Sequence, residues 1–330
     1  MTPSRIKRWI LLGHRWLGIS TCLLFFLWFL SGVVMMYMGH PKLTWQERLE
    51  HLPPLEASQP LLSPAEAFRQ AGIHGTVTDL RLANARAGQP VYIAQVRPDT
   101  KPAPDAPRPD PCLVTLDART GILLSPTDPA TALASAQVYL EQGSPSHPSS
   151  SSALPATSPR LPSVTTAPAS PGVPLYQGIT VEDAHTHSKA MDLHRPLHKV
   201  LLPDADQTLL YISGTTGEVV RDAPRLERGF NYLGAWLHWL YLFRDTAIDW
   251  TDLIIWLSVI GTVATISGFL SGIIRWRFSR PYRSGSRSPF APGALRWHHI
   301  LGLVFALTTF TWVFSGLMSM NPWDIFEADE

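Results

Sequence analysis

The side chains whose types and spacing could do chemistry are histidines, because an imidazole nitrogen offers a lone pair to a metal and a proton to acid–base work. Two of the 12 histidines in this 330-residue chain occupy matching places in an internal repeat. HRWLGISTCLLFFLWFLSGVVMM, from His14, aligns with HHILGLVFALTTFTWVFSGLMSM, from His298, with nine of 23 positions identical. Leucine and phenylalanine matches are common between membrane helices. The shared frame H-x3-G-x9-W-x2-S-G is not. Each histidine is followed four residues later by a glycine, Gly18 or Gly302, on the same helical face. A missing side chain beside an imidazole leaves room for a flat macrocycle. Two imidazoles facing each other across such a gap are what a six-coordinate b-type haem requires. The plainer reading, an interfacial histidine above a helix-packing glycine, accounts for either segment alone, and the repetition of the frame favours ligation. His299 competes with His298 but matches Arg15 in the first copy.

The elements that must position these residues are hydrophobic. Trp16 to Met38, Leu253 to Ile274 and Ile300 to Met320 carry no charge, and each reaches the roughly 20 apolar residues that a helix needs to cross a bilayer. A purely soluble protein is excluded, as is a bundle packed wholly within the membrane, because a long polar segment separates the first two runs. The sequence predicts three transmembrane helices with an external α+β domain. Arg5, Lys7, Arg8 and Arg15 flank the first run, and six arginines from Arg275 to Arg296 lie between the second and third. Neither stretch contains an acid, whereas the remainder holds all 26 acids against 17 of the 27 cations. The positive-inside rule therefore predicts a cytoplasmic N-terminus and 277–296 loop, with residues 40–250 and the acidic tail outside. The first run exceeds a signal-peptide core and no A-x-A-like site follows it, which predicts a retained anchor.

The expected organisation is residues 1–39 for the N-terminus and first helix, 40–143 for an external module, and 144–174 for a disordered Ser/Pro linker. Residues 175–227 form a second module-like segment, and 228–250 an interfacial helix. The second helix follows at 251–276, the basic loop at 277–296, the third helix at 297–321 and the tail at 322–330. Ser63 opens a helix with a capping-box start, and Val91–Val96 and Cys112–Leu116 read as strands. TLDARTGILL and YISGTTGEVV are similar strand-turn endings. Cys22 and Cys112 fall in different segments and cannot plausibly pair. Neither a hydrolase, kinase or nucleotide-binding motif nor an aromatic-interleaved basic patch is present, so nucleic acid is not an expected partner.

On the outer side His238, in the apolar segment AWLHWLYLF, is either a packed, hydrogen-bonded histidine or a second haem ligand. His40, His194, His198, Met36 and Met320 are its possible partners. His194 and His198 have helical ligand spacing, interrupted by Pro196. His185 and His187, beside Glu182 and Asp183, are expected at the solvated surface. From His14 to Trp28 is fourteen residues, about 21 Å of helix, so an inner haem alone is poorly placed to reach an outer substrate.

At HRWLG, WLHWLYLF, RWHHILGLVFALTTFTW and SGLMSMNPW the chain resembles the PepSY-associated transmembrane family, and the two strand-turn endings resemble the ends of PepSY domains. The resemblance implies a multi-pass protein of the bacterial inner membrane with a periplasmic PepSY-like domain. It implies haem b, one or two per chain, with His14, His298 or His299, and His238 at the family's histidine positions. The implied activity is reduction of a periplasmic ferric siderophore or chelate, with a quinol or cytoplasmic reductant as donor and membrane lipid as surroundings. Many members carry a fourth transmembrane helix against the three read here, which leaves an outer haem without an evident second ligand. The alternatives are a membrane-anchored PepSY binding or regulatory protein without redox activity, and an accessory subunit of siderophore uptake.

Overall fold

The computed structural model describes residues 3–56, 58–97, 111–143, 172–244 and 246–326. The expected Ser/Pro linker, apart from its last three residues, lies outside them, as do most of the Pro98–Pro111 loop and the end of the acidic tail. The chain divides into a helical unit, Met1–Tyr37 with Leu233–Glu330, and a second unit, Met38–Tyr232.

In chain order, α1 (Pro3–Tyr37) is followed by α2 (Trp45–Glu50), α3 (Pro64–Gln70), β1 (Thr76–Arg86), β2 (Gln89–Arg97), β3 (Cys112–Asp117) and α4 (Pro129–Gln142). Next come β4 (Leu175–Thr180), β5 (Leu197–Leu201), β6 (Leu209–Ser213), β7 (Val219–Ala223) and α5 (Arg225–Asn231). The chain then runs through α6 (Trp250–Arg275), α7 (Ala294–Val304) and α8 (Ala306–Ser319).

The second unit consists of two antiparallel sheets, β1-β2-β3 and β4-β5-β6-β7. Each carries one helix. Ala67 and Phe68 of α3 pack with Tyr92 and Leu116 of the first sheet. Ala132, Ala136 and Tyr139 of α4 pack with Val200, Leu210, Ile212 and Val219 of the second. Sequence order groups α4 with the module before the linker, whereas its apolar face is buried against the sheet after it. Ser63 caps α3 as expected, accepting from the Glu66 amide at 3.3 Å. A reciprocal capping box, not among the sequence expectations, joins Thr44 and Glu47 at the start of α2.

The two strand-turn endings share local geometry. Asp117 Oδ1 accepts from the amides of Arg119 and Thr120, and Ser213 Oγ accepts from those of Thr215 and Thr216. Each turn closes on a glycine in the left-handed region, Gly121 at φ 69° and Gly217 at φ 76°, where a Cβ is disfavoured. The two sheets are tied together by Ser135, whose hydroxyl donates to Gly217 O at 2.8 Å and accepts from the Ala87 amide at 2.9 Å. They are also tied by Glu218, buried against Arg48 at 3.0 Å and against Arg81.

His185 departs from the surface position expected for it. It is 6% exposed, accepts from Asn231 Nδ2 at 3.1 Å, and burial pushes its pKa down to about 4. Of the acids beside it in sequence, Asp183 accepts from Tyr211 Oη at 2.9 Å. His187 makes an ion-pair contact with Glu182 at 2.6 Å.

Burial, reinforced by the negative charges of Glu47 and Glu227, pushes Asp222 from an ordinary 3.8 up to about 7. The folded chain therefore holds a proton that the unfolded chain releases. This contribution to stability is fully present below about pH 4 and is lost as pH rises through about 7. Asp222→Asn is expected to raise stability by ~1–2 kcal/mol at about pH 8 and to change it little at about pH 4. Thermal unfolding of the full chain at the two pH values checks this, and an equal change at both would refute it.

In the helical unit, Ser4–Tyr37 and Trp250–Arg275 are each long and apolar enough to cross a membrane. The third expected span is not one straight helix. α7 and α8 meet at 66°, with Phe305 at φ −98° and ψ 6° leaving the helical region. The expected interfacial helix at 228–250 is likewise interrupted. α5 ends at Asn231, a π-helical turn covers Tyr232–Trp236, and a 3-10 turn covers Tyr241–Phe243 after Leu240 at φ 51°. α6 is the central element, packed against α1, α7 and α8. Gly261 meets Val313 and Phe25, and Gly272 receives Leu303 so closely that a Cβ would lie 2.6 Å from its Cδ2.

Candidate functional site

His14 on α1 and His298 on α7 come together. Their ring centroids are 6.3 Å apart and their planes differ by 18°. Both line a cavity of about 1040 Å³, with Gly18, Gly302, Thr21 and Phe25 among the other walls. That volume is at the upper end of the usual range for small-molecule and cofactor sites.

α6 orients His14. Ser267 Oγ donates to Ala264 O at 2.8 Å, so toward His14 Nδ1, 3.4 Å away, it acts as acceptor. That contact favours the tautomer with the proton on Nδ1, in which Nε2 carries the lone pair a metal would use. An acceptor behind the ring sets the tautomer of a metal-binding histidine in this way. Gly268 makes the space, since a Cβ there would lie 2.8 Å from His14 Cε1. Neither Ser267 nor Gly268 stands out in the sequence, because small residues in a membrane helix ordinarily serve helix packing.

The residues fit a haem on two independent observations. Metal–imidazole bonds are about 2.0 Å long, so two rings sharing one iron must stand several ångströms apart, and the two rings here are near-parallel with centroids 6.3 Å apart. In addition, a Cβ built on Gly18 or Gly302 meets nothing within 4 Å. These two glycines are therefore not helix-packing notches in this structure, and the space before them belongs to the cavity that they line.

His299 differs from its neighbour. It is 6% exposed, and both ring nitrogens are engaged, Nδ1 with Ser288 Oγ at 2.8 Å and Nε2 with Gly272 O at 3.0 Å. It is a packing histidine that ties α7 to α6.

The far end of the repeat converges on His238. Ser31 Oγ donates to Leu27 O at 2.6 Å and so accepts from His238 Nδ1 at 3.0 Å, the same arrangement that Ser267 gives His14. Trp28 Nε1 donates to His238 O at 3.0 Å. Trp28, Trp312 and Gly316, all from the repeated frame, line a cavity beside His238 with Phe25 and Phe29. Its volume is about 70 Å³, too small for a macrocycle, so these residues do not fit a second haem. Of the considered partners, His40, His194 and His198 belong to the other unit. His198 has both nitrogens engaged, by Tyr176 Oη and Thr127 O at 2.9 Å each. His194 closes a 3-10 turn, and a cis Arg195–Pro196 bond separates it from β5, so the pair does not share a helix. Among the described residues no group of three or more His, Cys, Asp or Glu side chains could hold a metal ion, and Cys22 and Cys112 are free thiols.

The helices define a membrane protein with a separate α+β unit. No family model matches the chain, and neither a curated protein nor a solved structure matches it.

Proposed function

We propose that this chain is a PepSY-associated haem protein of the bacterial inner membrane that passes electrons from a quinol or cytoplasmic reductant to a periplasmic ferric siderophore or chelate. The observation that carries the reading is the pairing of His14 with His298, ring centroids 6.3 Å apart, on a cavity that Gly18 and Gly302 also line. His14 and His298 would hold one haem b, which supplies reversible one-electron transfer. Ser267, toward His14 Nδ1, favours the tautomer that leaves Nε2 for a metal, and Gly268 admits the ring. His299 braces α7 against α6 from outside the electron path.

The reading carries one haem, because the surroundings of His238 do not fit another. The interval toward His238 is filled by aromatic side chains instead. Phe25 and Phe29 line both cavities, Phe29 lies 4.6 Å from Trp312, and Trp28 lies 6.4 Å from His238 between ring centroids.

The test uses protein reconstituted in vesicles, with a reductant enclosed and a ferric chelate and a ferrous-specific dye outside. Outside reduction that depends on the enclosed reductant is expected. His238→Ala is expected to keep the haem spectrum and to lower external reduction at least about tenfold, because it opens the aromatic packing at the far end. Haem-loaded protein that never reduces external iron would favour the anchored binding module.

A further inference from the structure

The wall of the large cavity is asymmetric. Arg15 and Arg275 line it and no aspartate or glutamate does. Arg15 adjoins His14 in sequence. Arg275 is the last residue of α6, seven residues beyond Gly268, which is about 10 Å of helix. Arg275 lies over the ring of Phe290, 5.4 Å from its centroid, and Phe290 is itself a wall residue. The rest of the wall carries no formal side-chain charge apart from its histidines and is mostly apolar, with Phe25, Phe29, Phe305 and Ala306 beside the hydroxyls of Thr21, Thr265, Ser271 and Thr309. Among the described residues, neither arginine has an acidic partner within salt-bridge distance. A guanidinium beside an apolar cavity gains most from a carboxylate, which accepts two parallel hydrogen bonds from it.

We propose that Arg15 and Arg275 bind carboxylates on one edge of the macrocycle held by His14 and His298, so that the site selects a dicarboxylate porphyrin and fixes its orientation. The inference rests on the haem reading above. The histidines contribute affinity for the iron, while the arginines determine which edge of the ring faces the arginine-bearing mouth. An anionic lipid headgroup offers the same charge to the same pair. The macrocycle is favoured because the cavity extends from the arginines to the histidine pair and the two cavity-lining glycines.

The experiment titrates full-length apoprotein, purified from haem-deficient cells in detergent, with iron protoporphyrin IX and separately with its dimethyl ester. The wild type is expected to bind the diacid at least about tenfold more tightly than the ester. The Arg15→Gln/Arg275→Gln variant is expected to lose that preference while keeping ester affinity and the two-histidine spectrum. Lysine at both positions should restore part of it, which separates lost charge from lost folding. Equal wild-type affinity for diacid and ester, or a preference that survives in the double glutamine variant, overturns the proposal and leaves the haem reading standing. Loss of a co-purifying anionic phospholipid in that variant, with diacid affinity unchanged, assigns the arginines to lipid and also overturns it. Wild-type protein that binds neither porphyrin overturns the haem reading and this inference together.

Discussion

Replacing His14 or His298 with alanine is expected to abolish a low-spin b-type spectrum, while His299→Ala keeps it. The two outcomes follow from where the nitrogens go. His14 turns Nδ1 toward Ser267, which favours Nε2 as the nitrogen offered to a metal, and the His298 ring lies at a centroid separation of 6.3 Å. His299 has no nitrogen to offer, since Ser288 and Gly272 take both. Removing the hydrogen-bond partner of a metal ligand typically costs 10- to 100-fold in affinity, so loss of the ligand itself should exceed about 100-fold. The His299 variant should instead lose stability, because Ser288 Oγ and Gly272 O each lose one hydrogen bond and the ring's contacts with Trp276 and Phe290 disappear, at a cost of about 1–3 kcal/mol. Absorbance spectra and thermal unfolding of the three variants separate these effects. A wild-type low-spin spectrum in both the His14 and His298 variants would end the assignment.

These histidines are visible in the sequence because the frame that carries them recurs in register, although in the structure His14 is half-buried and His298 is exposed. The spans are legible from their lack of charge: α1 and α6 follow the charge-free stretches, extending past them into the flanking arginines. The bend at Phe305 is not legible, because neither proline nor a polar pair marks it. β1 escapes the pattern because its apolar alternation changes phase between Val77 and Leu80, where the register shifts, in a strand whose first half is exposed. α4 falls to the wrong neighbour because local order favours the preceding sheet, and only tertiary packing brings its face to β5, β6 and β7. The residues that orient His14 are hidden by their own ordinariness. Serine and glycine on α6 acquire their role only when α1 is placed against them.

Gly18 and Gly302 admit the sharpest separation of cavity from packing. A helix-packing glycine cannot take a side chain without forcing its neighbour away, as Gly272 illustrates against Leu303. At Gly18 and Gly302 a Cβ meets nothing within 4 Å, so Gly18→Ala and Gly302→Ala are expected to stabilise the protein without its ligand by up to ~1 kcal/mol each, through helix propensity. Leucine at either position should be tolerated by the fold for the same reason, but its side chain projects into the cavity between the histidines. Haem occupancy of Gly18→Leu and Gly302→Leu is therefore expected to fall at least about tenfold, with unfolding of the haem-free protein unchanged or shifted upward. If both leucine variants bind haem as the wild type does, the macrocycle lies elsewhere. If alanine alone destabilises the haem-free protein by more than ~1 kcal/mol, the glycines are packing residues after all, because only a neighbour pressed against the missing Cβ could oppose the gain in helix propensity.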